Sequence, residues 1–251
     1  VKQRFLVEGK AAGRVFIPAK LADNPSLDQA VYLQSLAELD PVTRARLLAG
    51  DWEARAPGGF FNREWFLNRV VADVPVDNPV VASVRYWDFA ATPPSATNSD
   101  PDYTVGVLMS RLRDGRAIIR DVQRLRGTPN DVEALVLRTA ATDGPRVKVL
   151  IEQEPGSAGV TVVNYYSRRL MGYPVKAVRP DKKKEVRAAP YASAVQAGNV
   201  LMVPGRWLGA FLDEHEAFDP EMNKGGHDDQ VDASAGAFAG LVQASAKLVT
   251  W

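Results

Sequence analysis

Val80-Val-Ala-Ser-Val-Arg-Tyr-Trp-Asp88-Phe89 decides how the rest of this chain reads. Its apolar and β-branched residues, followed by the turn signal Thr92-Pro93-Pro94, predict a strand over 80–89. Asp88 closes the run with the strand parity of Val84 and Tyr86, so it belongs to the same face as those apolar side chains. Working outward, 103–113 and 116–126 predict two more strands, joined by the hairpin signal Asp114-Gly115. Thr128-Pro129-Asn130-Asp131 predicts a helix start, with Thr as cap and Pro in the first turn, and the helix runs to about residue 142. Strands at 147–153, 174–178 and 200–203 then alternate with helices at 160–170, 184–197 and 207–217, and a last helix runs from 228 to about 242. Three antiparallel strands followed by helix-linked strands make an α/β fold, a mixed sheet of five or more strands flanked by helices.

Two further acidic groups match Asp88 in position. Glu152 closes the apolar run Val147-Lys-Val-Leu-Ile-Glu152, with Glu154 two residues on. Gly226-His227-Asp228-Asp229-Gln230-Val231-Asp232 opens the last helix. A carboxylate at the end of a buried strand sheds hydration and is costly without a positive partner. Glu152 and Glu154 share parity and lie about 6–7 Å apart at strand rise, so one of them is the deeper ligand. Glu152 follows directly on the apolar run, whereas Glu154 precedes Pro155-Gly156 at the rim. The helix dipole favours one acid in the first turn, but not two plus Asp232 a turn later. Behind them Ala233, Ala235, Gly236, Ala237, Ala239 and Gly240 would let the helix approach the sheet closely. Three converging acidic groups suit hard divalent cations, which take oxygen ligands, and point to metal-assisted phosphoryl chemistry.

Composition excludes several alternatives. The chain of 251 residues has no cysteine, which removes disulfides, thiolate metal sites and a cysteine nucleophile. Its two histidines, His215 and His227, cannot make a histidine-rich metal site. No apolar run reaches the length of a membrane span, and no secretory signal opens the chain. The first residue is Val1 rather than Met, as expected of a piece of a longer protein. Net charge is +1, but between residues 168 and 187 eight bases face two acids, about six net positive charges, on the scale of a phosphate-binding patch. Lys182, Lys183, Lys184 and Arg187 form its dense end. Six arginines between 111 and 126 face only Asp114 and Asp121. Residues 1–56 read differently, as helical pieces ending near the hinge signal Pro57-Gly58-Gly59.

Trp87-Asp88-Phe89-Ala90, Ile151-Glu152-Gln153-Glu154-Pro155-Gly156-Ser157 and His227-Asp228-Asp229-Gln230-Val231-Asp232-Ala233 resemble the three acidic motifs of the nuclease domain of bacteriophage terminase large subunits. The stretch from Arg187-Ala188 to Asn199-Val200 also resembles that family, and Asp23 through Trp52 resembles the segment that joins its packaging ATPase to the nuclease. The resemblance implies an RNase H-like nuclease domain over 57–251 and a connector over 1–56. It implies an endonuclease that uses two divalent cations, Mg2+ or Mn2+, to cut concatemeric viral double-stranded DNA during packaging. It implies a portal protein and a small terminase subunit as partners, and the cytoplasm of a bacterial host as location. On this reading Asp88 bridges both cations, Glu152 holds one and Asp229 the other. Asp228 is an alternate ligand, and Asp232, Glu154, His227 and Asp102 stand outside them. No G-x-x-x-x-G-K-[ST] phosphate loop occurs, so no ATPase activity is expected of this stretch. Two other readings stay open at this point: another RNase H-like enzyme such as a junction resolvase or transposase core, and a catalytically silent DNA-binding or assembly module.

Overall fold

The computed structural model describes residues 60–90, 100–180, 182–219 and 227–246. The expected connector over 1–56 and the Thr92-Pro93-Pro94 turn lie outside them. In chain order the elements are α1 (Arg63–Leu67), β1 (Val80–Asp88), β2 (Thr104–Leu112), β3 (Ala117–Leu125), α2 (Pro129–Asp143), β4 (Lys148–Glu152), α3 (Ser157–Arg169), β5 (Val175–Val178), α4 (Lys184–Gln196), β6 (Val200–Met202), α5 (Leu208–Ala217) and α6 (Asp229–Ala246).

Six strands form one sheet in the order β5-β4-β1-β2-β3-β6. β1, β2 and β3 pair antiparallel, while β4 joins β1, β5 joins β4 and β6 joins β3 in parallel. A short hairpin joins β2 to β3 and residues 89–103 join β1 to β2, whereas each parallel strand needs a helical crossover. The expected mixed sheet is therefore observed, with β6 closing the edge that sequence pattern did not assign. The hairpin between β2 and β3 turns at Gly115, whose φ of 94° lies in the left-handed region. Thr128 caps α2 in a reciprocal box, its hydroxyl accepting from the Asp131 N–H while the Asp131 carboxylate accepts from the Thr128 N–H. α3 starts at Ser157 rather than 160, because Gly156 (φ 92°) turns the chain straight from β4 into the helix. α1 escaped the sequence reading: it has only five residues, started by the Asn62 side chain accepting from the Glu64 N–H.

Side-chain alternation along β1 separates two layers. Val84 and Tyr86 join the larger core with Val107 and Met109 of β2, Tyr191 of α4, Phe211 of α5 and Ala233 and Ala237 of α6. Trp87 points the other way, into a cluster with Leu135 and Val136 of α2, Val149 and Ile151 of β4 and Tyr166 of α3. Sheet-facing residues i and i+2 share a face, so Asp88 continues the Val84–Tyr86 row at the end of the strand.

A candidate metal centre at the end of the sheet

Trp87 of β1 sits in register with Ile151 of β4, and the two strands are parallel. The next residues, Asp88 and Glu152, therefore end neighbouring strands at the same edge. Asp88 also lies opposite Val105 of β2. α6 crosses this face, and its approach is as close as its small residues suggested: a Cβ added at Gly236 would stand 2.3 Å from Cζ of Tyr86. No larger residue fits there without moving Tyr86, whose hydroxyl donates to Glu152 Oε2 at 2.7 Å. The helix start thus carries Asp228, Asp229 and Asp232 to the strand ends, all three buried.

The neighbours of each acid differ. Asp88 takes part in no ion pair among the described residues. Burial, together with the negative charges of Glu152, Asp232 and Asp229, holds its pKa well above the usual carboxylate range. Glu152 accepts from Tyr86 and from Arg187 Nη1 at 3.3 Å. Asp232 accepts from Arg187 Nη2 at 3.0 Å and pairs with Lys184 Nζ at 3.0 Å, yet burial leaves its pKa raised. Asp228 receives Lys184 Nζ on both oxygens, at 2.8 and 2.7 Å. Asp229 Oδ2 accepts the Tyr103 backbone N–H at 2.8 Å. Burial nevertheless pushes its pKa up to about 6, with Glu214 and Asp102 adding to the rise.

Asp102, His227 and Asp229 offer ligand atoms that all lie within 4.8 Å of one another. Among the described residues no other group of three acidic or imidazole side chains is that close, so Asp88 and Glu152 stand beside this group rather than in it. His227 Nδ1 is buried without a hydrogen-bond partner and lies 3.6 Å from Asp102 Oδ1 and 3.7 Å from Asp229 Oδ2. Its Nε2 meets Arg126 Nη2 at 2.7 Å and Asp100 Oδ1 at 3.2 Å. Glu154 is exposed, as are Lys182 and Lys183, while Lys184 is half exposed and reaches inward.

Several supporting residues escaped the sequence reading. Arg124 of β3 and Arg126, one residue past its end, stack on Tyr103 with guanidinium carbons 3.6 and 3.7 Å from the ring centre, which steadies the residue that donates to Asp229. Buried Glu214 of α5 accepts from the backbone and side chain of Gln230 and pairs with Arg124 at 3.2 Å. A carboxylate there satisfies a free N–H in the first turn of α6 and anchors the acidic helix start. The arginine run between 111 and 126 was the only sequence signal for this layer, and nothing in it distinguished Arg124 and Arg126 from their neighbours.

Strand-end carboxylates facing a helix start across a mixed sheet define an RNase H-like acidic site. The terminase RNaseH-like domain family matches residues 85–240, and the chain belongs to that family. Comparison with curated proteins returns no match. Among solved structures the chain is similar to the human cytomegalovirus terminase nuclease domain, Mn soaked and inhibitor bound, with a TM-score of 0.52 and 12% identity over 72% of this chain and 95% of that one. It is also similar to the large terminase nuclease from thermophilic phage G20c with bound magnesium, with a TM-score of 0.50 and 18% identity over 74% of this chain and 98% of that one. At these identities the likeness is one of fold, and it agrees with the strand order and layers described above. No helix among the described residues is long and apolar enough to cross a membrane.

Proposed function

We propose that this chain is a metal-dependent endonuclease that cuts concatemeric viral double-stranded DNA during genome packaging, using two divalent cations. The observation that carries the reading is the juxtaposition of Asp88, Glu152, Asp229 and Asp232 at one end of the sheet in a member of the terminase family. The donor set suits Mg2+ or Mn2+: carboxylate oxygens dominate, and one imidazole is available. Two orphaned features of the site support such an occupant. Asp88 lacks an ionic partner among the described residues, and the buried Nδ1 of His227 lacks a hydrogen-bond partner. Bound cations would activate a water and offset charge on the phosphate and the leaving oxygen. The Mn-soaked cytomegalovirus domain and the magnesium-bound phage domain have the same fold and agree with this choice of ions.

Asp88 would be a ligand to both cations. Glu152, oriented by Tyr86, would hold one of them. Asp229, with Asp102 and His227 beside it, would hold the other, while Asp228 would be an alternate ligand and Asp232 an outer acid. Glu154 stays at the rim. Exposed Lys182 and Lys183 line the approach for the DNA backbone, whose phosphates they attract without reading sequence, whereas Lys184 and Arg187 of the same stretch are paired with Asp228, Asp232 and Glu152. Residues 1–56 are the connector to a packaging ATPase, and the portal and small terminase subunit govern when DNA reaches Asp88 in the bacterial host. This stretch itself hydrolyses no ATP.

Plasmid nicking tests the reading. Mn2+ or Mg2+ should support cleavage of duplex DNA with little sequence preference, and EDTA should stop it. Cleavage that persists in excess EDTA would sink the proposal, and selective cutting of branched over linear duplex would favour a resolvase.

A further inference from the structure

Lys184 and Arg187, one helical turn apart on α4, do not face solvent as a DNA-binding patch would. Lys184 Nζ holds both oxygens of Asp228 and one of Asp232, and Arg187 bridges Asp232 to Glu152. Two protein cations therefore sit among the carboxylates that the nuclease reading assigns to metal ions. Both are charged despite burial that works against them, because Asp228, Asp232 and Glu152 outweigh it and hold their pKa values above the ordinary range. Divalent cations entering this cluster would compete with them for the same oxygens.

The helix is built so that its first turn can yield. Pro190 lies inside α4 and has no N–H, so the Val186 carbonyl loses its partner four residues on, and the proline ring crowds that carbonyl. Lys183, at the cap position, makes no side-chain capping bond. Ala188, between Arg187 and the proline, and Tyr191, directly after the proline, are buried and pin the helix to the core. Lys184 and Arg187 thus project from a first turn without a side-chain cap, just before Ala188, the first residue of α4 to be buried.

We propose that Lys184 and Arg187 are stand-in counter-ions that neutralise the acidic site when it holds no metal, and that metal entry releases them to bind DNA phosphates. The inference rests on the nuclease reading and concerns its regulation: DNA affinity becomes conditional on a loaded site. Release of two protein cations adds two phosphate contacts at the moment when the site can cut.

Calorimetry of the full chain with Mn2+ in the absence of DNA is the first test. Lys184→Met should bind Mn2+ about fivefold more tightly than wild type, because its competitor is gone, whereas Lys183→Met, with the same charge change outside these pairs, should leave the affinity close to wild type. A residue that merely props up the carboxylates would show the opposite, a weaker Mn2+ affinity in Lys184→Met. The second test is the salt dependence of binding to a 30-base-pair duplex, measured in EDTA and in Ca2+. The slope of log affinity against log salt should match between wild type and Lys184→Met/Arg187→Met in EDTA, and differ by about 1.8 in Ca2+, two contacts at about 0.9 each. Equal Mn2+ affinities, or the same slope difference in both media, overturn the inference. If Asp88→Asn abolishes cleavage while those results fail, the nuclease reading stands without this device. Failure of the wild type to take up Mn2+ overturns both.

Discussion

Arg85 and Asp88 lie three residues apart on β1 and meet opposite fates. Arg85 is 1% exposed, on the face covered by α2. Its guanidinium is fully engaged: Nε and Nη2 reach the two oxygens of Asp143 at 2.7 and 2.8 Å, Nη2 meets Asp121 at 2.9 Å, and Nη1 donates to the Gly106 carbonyl at 3.0 Å. Asp88, on the other face, is surrounded by charges of its own sign, and only Lys184 among its main influences opposes them. One buried charge is closed within the protein and the other is left open. Closure makes a structural pin, tying the end of α2 to the central strand. Openness suits a site, because a countercharge brought from outside would be favoured there. A cavity of about 460 Å3 beside Arg85, lined also by Arg120, Arg138, Asp73 and Asp121, belongs to the closed side, where acids and bases alternate and offset one another.

The largest effect expected from this contrast is on catalysis. Asp88→Asn should lower cleavage by at least about a thousandfold, the scale of losing a principal charge-stabilising group. The same substitution should raise the melting temperature of the metal-free protein, since it relieves repulsion among Asp88, Glu152, Asp229 and Asp232. Wild-type turnover in Asp88→Asn would break the contrast outright. Glu152→Gln should follow Asp88→Asn, and Glu154→Gln should lose much less; the reverse order would exchange the roles of the two glutamates.

Arg85→Met should do the converse. It strands Asp143 in a buried position and should cost about 3–5 kcal/mol in urea unfolding, while the folded fraction cleaves DNA as wild type does. Equal losses of stability and of turnover per folded molecule would show that the two faces of β1 are not independent.

Acid should separate two buried groups of opposite linkage. His215 is wholly buried among Phe61, Phe66 and Phe211, and burial lowers its pKa to about 3. The unfolded chain takes up that proton near pH 6.5, so the stability that His215 contributes is present above 6.5 and is lost as pH falls towards 3, at up to about 1.4 kcal/mol per pH unit. Asp229 has the opposite sign in the metal-free protein: its raised pKa, about 6, adds stability that is complete below the unfolded value and is lost as pH rises through 6. Cation binding needs the ionised carboxylate, so Mn2+ affinity should be level above about pH 6 and fall below it. Melting curves from pH 4 to 8 for wild type and Asp229→Asn, with Mn2+ titrations at pH 5 and 7, check both signs. A Mn2+ affinity that rises towards pH 5 would remove Asp229 from the ligand set.

The smallest effect expected is at the rim. Lys182→Ala should weaken DNA binding slightly and flatten its salt slope by about 0.9, without altering Mn2+ affinity. An unchanged slope would return Lys182 to ordinary solvated surface and narrow the DNA contact to residues nearer the acids.

Strand β1, the Asp114-Gly115 hairpin, the capped start of α2 and the placement of Asp88 and Glu152 at strand ends and of Asp229 at a helix start were all legible in the chain, because each is announced locally: by alternation, by a turn that needs glycine, by a cap, or by a charge ending an apolar run. Gly236 was legible as a small residue but not as the point where α6 meets Tyr86. Family membership was legible too, since it rests on the order and spacing of three motifs.

Tertiary structure decided which charges meet. Arg85, in the middle of an apolar strand, reads as an oddity until Asp143, 58 residues away, closes around it. Lys184 and Arg187 read as a solvent-facing phosphate patch, yet the fold turns them inward onto Asp228, Asp232 and Glu152. Arg124, Arg126 and Glu214 came to the site only because β3 and α5 end beside the start of α6. The physical reason is range. Periodicity, turns and caps are set by residues within a few positions of each other, so the sequence by itself determined the elements and named the acids. The electrostatic state of a buried group depends on partners brought close by packing, and those the sequence order does not contain.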